Sequence, residues 1–235
     1  MRPRIFSIVF CLAIAGVGVS SATAQPKLVI DDFKQSPYRK ELRDQPTFLT
    51  EYQTGPTEHI VGGVRQTNFT VSQAKPHFGQ STLLQIRRNG PLVMSGGYKS
   101  FFGLLLGYGY DTNGGAQRLN LNLSGGGSEC LGCDRFRINF DGCDSELSYG
   151  MQVHDDDGDI ATLNGTESTA GRILPFHVDF PFSDFVQDSA HPVNWDHINF
   201  IFVLFQTGNP IGGHDFAVTR ITAIPAPTPT PTPTP

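Results

Sequence analysis

Between residues 27 and 221 apolar side chains recur at every second position, broken by clusters of Gly, Asn, Asp and Pro, and helical spacing is nearly absent. A chain with that period can bury one face of each segment only as a pleated strand. The pattern predicts strands at 27–32, 48–53, 63–71, 82–88, 92–95, 100–107, 117–123, 134–140, 146–154, 160–163, 172–180, 197–205 and 214–221. Two are unusually clear. Leu119, Leu121 and Leu123 alternate with Asn120 and Asn122, and Phe136, Ile138 and Phe140 alternate with Arg135, Arg137 and Asn139. Each reads as a half-buried strand with one wet face. Segment 197–205 is apolar on both faces, as in a central strand covered on both sides or one that meets a second domain. About a dozen short strands with frequent turns predict an all-β fold, a two-sheet antiparallel β-sandwich that is jelly-roll-like. Residues 25–224 suffice for one such domain, whose core takes most of the 18 Phe.

The ends differ in composition. Arg2 and Arg4 precede an apolar stretch, and Ala22-Thr23-Ala24 closes it before Gln25. This is the pattern of a cleavable secretory signal peptide over residues 1–24, and the stretch is shorter than the roughly 20 residues of a spanning helix. The longest later apolar run, 198–205, is too short to cross a bilayer, so no transmembrane anchor is expected. From Pro225 to Pro235 proline alternates with Ala or Thr, a low-complexity tail or linker suited to polyproline II. The expected location is secreted, extracellular or cell-surface. Loss of Arg2 and Arg4 would take the net charge from −5 to −7. Such a chain is ill suited to nucleic acid or anionic membrane, and its basic pairs Arg39-Lys40 and Arg87-Arg88 are isolated.

Without Cys11, which leaves with the signal, three cysteines remain: Cys130, Cys133 and Cys143. In an oxidising compartment an odd count implies one bridge and one spare thiol. A strand over 134–140 would hold Cys133 and Cys143 roughly 25–30 Å apart, far beyond the Cα separation of about 7 Å that a bridge tolerates. Cys130–Cys133 is therefore the expected pair, after the Gly125-Gly126-Gly127 run.

Catalytic signatures are sparse. The sequence holds no G-x-S-x-G, no H-E-x-x-H and no phosphate-binding loop, and its seven His are dispersed. Glu51, Glu58 and Asp179 are carboxylates that could in principle form a glycosidase pair, which needs a separation of about 5–10 Å across a cleft. The acidic run Asp155-Asp156-Asp157-Gly158-Asp159 has two readings. It is either a hairpin turn or a Ca²⁺-occupied turn with Asp155 and Asp157 as ligands. It is not an EF-hand, since Ile160 and Thr166 stand where Gly and a bidentate Glu are needed. Aromatics beside amides suggest sugar contacts at Trp195 with Asn194 and at Tyr108 with Tyr110, although Trp195 reads equally well as a plug closing the sandwich base.

Several segments carry a family resemblance: LVIDDF at 28–33, IVGGVRQTNFTV at 60–71, FPFSDF at 180–185 and HDFAVTRITAIPAP from His214. Together they resemble exported bacterial β-sandwich proteins of the PEP-CTERM-substrate type, with a fold similar to carbohydrate-binding and galactose-binding-like modules. The sequence departs from that group at its end, where no apolar helix or basic tail follows Ile224-Pro225-Ala226-Pro227. The resemblance implies that the first and last strands meet, and that Asp215, with Asp31 or Asp32, holds a structural Ca²⁺. The expected function is a non-catalytic secreted cell-surface or matrix sandwich that binds an extracellular glycan or envelope component and is Ca²⁺-stabilised. The alternatives are a glycoside- or polysaccharide-active enzyme on the same fold and a purely structural envelope protein.

Overall fold

A computed structural model describes residues 27–43, 47–73, 81–97, 100–124, 130, 132–188, 190–207 and 213–225; the expected signal peptide, the Gly125–Gly127 run and the tail beyond Pro225 lie outside them. Fourteen strands run through the described residues: β1 (Leu28–Asp31), β2 (Tyr38–Leu42), β3 (Thr47–Thr54), β4 (Val64–Gln73), β5 (Thr82–Ile86), β6 (Leu92–Gly96), β7 (Phe101–Tyr108), β8 (Cys133–Cys143), β9 (Leu147–Asp155), β10 (Ile160–Asn164), β11 (Phe176–Pro181), β12 (Val186–Gln187), β13 (Ile198–Thr207) and β14 (His214–Pro225). They form two antiparallel sheets. Sheet A runs β11-β8-β14-β6-β5-β2, with β1 also on β14, and sheet B runs β12-β10-β9-β13-β7-β4-β3. The chain crosses repeatedly between them, and the result is a jelly-roll-like β-sandwich.

The alternation explains the packing. On β8 the rings of Phe136 and Phe140 and the side chain of Ile138 are buried, while Arg135, Arg137 and Asn139 lie on the opposite, half-exposed face. From sheet A, Phe140 meets Tyr149 and Phe205 of sheet B edge-on, each at 6.1 Å between ring centroids. Each such fully buried Phe contributes about 2–3 kcal/mol through the area it removes from water.

The interior also holds an ion pair. Arg65 on β4 and Asp31 on β1 are both fully buried, and Arg65 Nη1 donates to Asp31 Oδ2 at 2.7 Å. Tyr108 Oη donates to the same oxygen at 3.0 Å, the Phe33 N–H donates to Oδ1 at 2.9 Å, and Arg65 Nε donates to Gln53 Oε1 at 3.2 Å. The Arg65 guanidinium lies 5.6 Å from the Phe33 ring centroid. A charge in so dry a place is tolerable only when paired and hydrogen-bonded, as this one is. At one open edge of the sandwich, Lys40 of β2 pairs with Glu51 of β3 and ties the two sheets together.

Cys130 and Cys133 form the bridge, with Cα atoms 5.5 Å apart. Cys133 and Cys143 stand at opposite ends of β8, and Cys143 is a buried free thiol that donates to the Ser145 carbonyl at 3.0 Å. Two of the longer segments differ from the sequence reading. The stretch 117–123 buries Leu121 and Leu123 but is not a strand, because Arg118 and Asn120 have φ of 61° and 52°. It straps one end of the sandwich, with the N–H groups of Leu119, Leu121 and Leu123 donating to the carbonyls of Asn199, Ile198 and Trp195. Conversely, Tyr38–Leu42 is a strand although its sequence, YRKEL, is mostly polar. It is an edge strand, where polar side chains are favoured.

Candidate functional site

Strand β13 lies between β9 and β7 in the middle of sheet B. Its inward residues Ile201, Val203 and Phe205 are buried. Of its outward residues, Phe200 and Phe202 are half-buried and Leu204 is 38% exposed. The sequence reading of a strand covered on both sides therefore holds for its central position and not for its outer face.

The neighbouring strands leave room for those rings. Phe202 stands opposite Gly107 of β7 on one side and Gln152 of β9 on the other, and Leu204 stands opposite Leu105 and Gly150. A Cβ on Gly107 would come within 2.8 Å of Gln66 Oε1 and 3.3 Å of both the Phe202 and Tyr110 rings; one on Gly150 would come within 2.7 Å of Asn164 Oδ1. These glycines keep the floor low. The result is a hollow of about 210 Å³ floored by Leu105, Gly150, Phe202 and Leu204 and bordered by Gln152 and Thr162.

Aromatic rings continue across the sheet. Tyr110 lies 5.3 Å from Phe200, 6.2 Å from Phe202 and 6.3 Å from Tyr52 of β3, and His154 of β9 lies 5.1 Å from Phe202. Amides and hydroxyls are interleaved with them. Gln66 Nε2 donates to Tyr52 Oη at 2.9 Å. On the other flank a chain of donors runs outward: His154 Nε2 to Gln152 Oε1 at 3.0 Å, Gln152 Nε2 to Thr162 Oγ1 at 3.1 Å, then Thr162 Oγ1 to Asp188. Burial lowers the His154 imidazole below its ordinary value against the pull of Asp155, and burial raises the Tyr110 phenol, so both are neutral near pH 7. Among the described residues named on it, the face is thus amphipathic and, apart from Asp188, uncharged.

Of the ligand residues expected from sequence, Tyr110 lies on this face. Tyr108, two residues earlier, points the other way and is the buried donor to Asp31. Gly109 between them has φ of 110°, and a Cβ there would collide with the Asn199 carbonyl and the Phe200 ring. Trp195 is elsewhere: it stacks on Phe182 at 4.1 Å and 11°, with its edge toward Phe185, in the position of a plug. Asn194 beside it is exposed and accepts the Asp196 N–H through its side chain. Sequence reasoning missed Tyr52, Gln66, Gln152, His154, Phe200 and Phe202. The available signal was a two-faced apolar strand whose neighbours carry glycines, Gly103 and Gly107 on β7 and Gly150 on β9.

The acidic residues fall into separate places. Asp155 Oδ1 accepts the N–H groups of Asp157 and Asp159, and Oδ2 accepts that of Asn194, so its oxygens are engaged in holding the hairpin to the Trp195 loop. Asp157 at the hairpin tip is exposed. The first and last strands do pair, but Asp31 stands opposite Ile221 of β14, six positions, or about 20 Å, from Asp215. Asp31 is committed to Arg65 and Asp32 to His59 and Lys34. Ca²⁺ takes six to eight oxygens, and among the described residues no group of three or more His, Cys, Asp or Glu side chains is placed to hold a metal ion. Asp31, Asp32 and Asp215 therefore do not form the shared cage the resemblance implied. Asp179 is on sheet A, held by Arg137, while Glu51 closes the edge beside Lys40 and Glu58 is exposed in a turn.

No protein-family model and no curated protein matches the sequence. Among solved structures the chain is similar to the family 11 carbohydrate-binding module of the cellulosomal cellulase Lic26A-Cel5E of Clostridium thermocellum, at 13% identity and TM-score 0.40, covering 87% of this chain and 97% of that one. It is similar to TmCBM61 in complex with β-1,4-galactotriose, at 13% identity and TM-score 0.34, covering 65% and 80%. It is also similar to an agarase, AgWH50C, at 11% identity and TM-score 0.42, covering 88% of this chain and 26% of that one. Among the described residues no helix is long and apolar enough to cross a membrane.

Proposed function

We propose that this protein is a non-catalytic glycan-binding sandwich and that its binding face is the outer surface of sheet B. One observation carries the reading: an outward-facing, nearly uncharged surface on which Tyr52, Tyr110, Phe200, Phe202 and His154 alternate with Gln66, Gln152 and Thr162 over a glycine-lowered floor. Sugar rings offer apolar C–H faces and a rim of hydroxyls, and a surface with both aromatic and amide groups meets both needs. Its neutrality favours a neutral saccharide chain. Export, and a place at the cell surface or in the extracellular matrix, rest on the signal-like residues 1–24 alone.

The experiment is a polysaccharide array followed by titration calorimetry on the secreted protein, with Phe202→Ala and Gln152→Ala beside it. Selective binding of a neutral glycan, weakened about tenfold or more by Phe202→Ala at unchanged melting temperature, is the expected result; tenfold corresponds to about 1.4 kcal/mol. Equal binding by wild type and both variants would move the site elsewhere. Binding to no glycan would leave the structural envelope protein as the better reading.

A further inference from the structure

The outer face of the opposite sheet has a different chemistry. Where β1, β8 and β14 run side by side and the β5–β6 turn folds over them, a groove of about 510 Å³ opens. Lys27, Lys34, Arg137 and Arg220 line it, with Asp32 the single carboxylate among the lining residues. Four cations in one recess are unexpected in a chain of net charge −5. No two of them are adjacent in sequence, so the fold alone assembles the cluster. The pairing is specific: Arg220 stands opposite Asn139, and Thr222 opposite Arg137.

Two of the cations are held. Arg137 forms a two-point contact with Asp179, at 2.6 and 2.8 Å, which fixes its guanidinium on the sheet. Lys34 lies 3.5 Å from Asp32, whose carboxyl His59 also engages at 2.9 Å. The other two, Lys27 and Arg220, make no ion pair among the described residues. Between the charges stand neutral hydrogen-bonding groups, Asn139 and Thr219 among them, and no aromatic ring lines the groove.

We infer that this groove is a second binding site, for an acidic saccharide segment whose carboxylate or sulfate groups meet Arg220 and Lys27 while its hydroxyls meet the amide and threonine groups. Cations alternating with neutral donors and acceptors match a ligand that alternates anionic groups with hydroxyls. A nucleic acid would want aromatic stacking and many more free cations. A membrane would require a protruding or flat basic surface on a protein that the bilayer charge does not otherwise repel. The inference is independent of the neutral-glycan face, because the two lie on the outer surfaces of different sheets.

The test is calorimetric titration of the full chain with an α-1,4-galacturonate trimer, a neutral galactose trimer, inorganic phosphate and phosphatidylglycerol vesicles. Wild type should bind the acidic trimer, more weakly as NaCl is added. The variant K27E/R220E should lose at least tenfold in affinity. The control R39E/R43E makes the same change in net charge on and just after the edge strand β2 and should bind as wild type does. Melting temperatures establish that both variants are folded, and Arg220→Gln alone gives the same readout with a milder change. Four results overturn the inference: no binding of the acidic trimer, an equal loss in the control, phosphate or vesicles bound without the trimer, or a neutral trimer bound as tightly and with the same sensitivity to K27E/R220E. A loss confined to Phe202→Ala would concern the other face only.

Discussion

Arg65→Met is the most informative single perturbation of the interior. It removes a donor at 2.7 Å and the cation paired with Asp31, while Tyr108 Oη and the Phe33 N–H remain in place. Breaking a buried pair from one side costs about 3–5 kcal/mol, because a charge is left in a dry interior. For a domain of this size each kcal/mol moves the melting temperature by about 2–4 °C, so a fall of roughly 6–20 °C is expected. The loss should also depend on pH. Burial raises the Asp31 carboxyl above its ordinary value, with Arg65 the chief opposing influence. A carboxyl whose folded pKa exceeds its unfolded pKa is protonated first in the folded state, so that group's contribution to stability declines as pH rises through the interval between the two. Removing Arg65 lifts the folded value further. The deficit of Arg65→Met against wild type should therefore be smaller at about pH 5 than at about pH 8. Adding Asp31→Asn removes the orphaned charge, and D31N/R65M should recover to within about 2 kcal/mol of wild type. Urea unfolding of wild type, D31N, R65M and D31N/R65M at both pH values gives the full cycle. A single-variant cost below about 1 kcal/mol, no recovery in the double variant, or a pH-independent deficit would refute the reasoning.

Two further perturbations separate packing from binding and locate an acid-sensitive contact. Trp195→Ala should cost about 2–3 kcal/mol, less than a fully buried ring because Trp195 is only partly covered, and should leave glycan affinity unchanged; lost affinity at unchanged stability would restore the loop as the binding site. Asp179→Asn should flatten the acid limb of the stability curve. Burial pushes the Asp179 carboxyl up, but the Arg137 hydrogen bonds and charge outweigh it and hold the group below its ordinary value. Its contribution is thus present above the unfolded carboxyl value and is lost as pH falls through the folded one. An acid limb identical to that of wild type would show the pair to be solvent-screened.

Much of this fold is legible in the sequence because burial on one face imposes a period of two. Phe136, Ile138 and Phe140 identify β8 and its orientation at once, and that strand in turn separates Cys133 from Cys143. The pattern misleads where burial alternates without strand geometry, as at 117–123, where residues of positive φ turn the backbone while Leu121 and Leu123 still point inward. It is silent where an edge strand is polar, as in Tyr38–Leu42. The candidate sites were harder to see for a different reason. Phe202 looks like a core residue until Gly107 is known to stand opposite it, and the Lys27–Lys34 segment, Arg137 and Arg220 lie far apart in the chain until β1, β8 and β14 are placed side by side. Both are products of lateral pairing, which no local pattern encodes.

The last strand has a consequence for how the chain must come into being. Because β14 sits between β8 and β6 and also pairs with β1, sheet A stays split until residues 214–225 are available. Every earlier intermediate has β6 and β8 as naked edges, a state prone to pairing with other chains. Sheet A therefore cannot close before β14 has been made, its closure depends on contacts nearly 200 residues apart between Leu28 and Ala223, and a chain that stops short of His214 is left with an open seam.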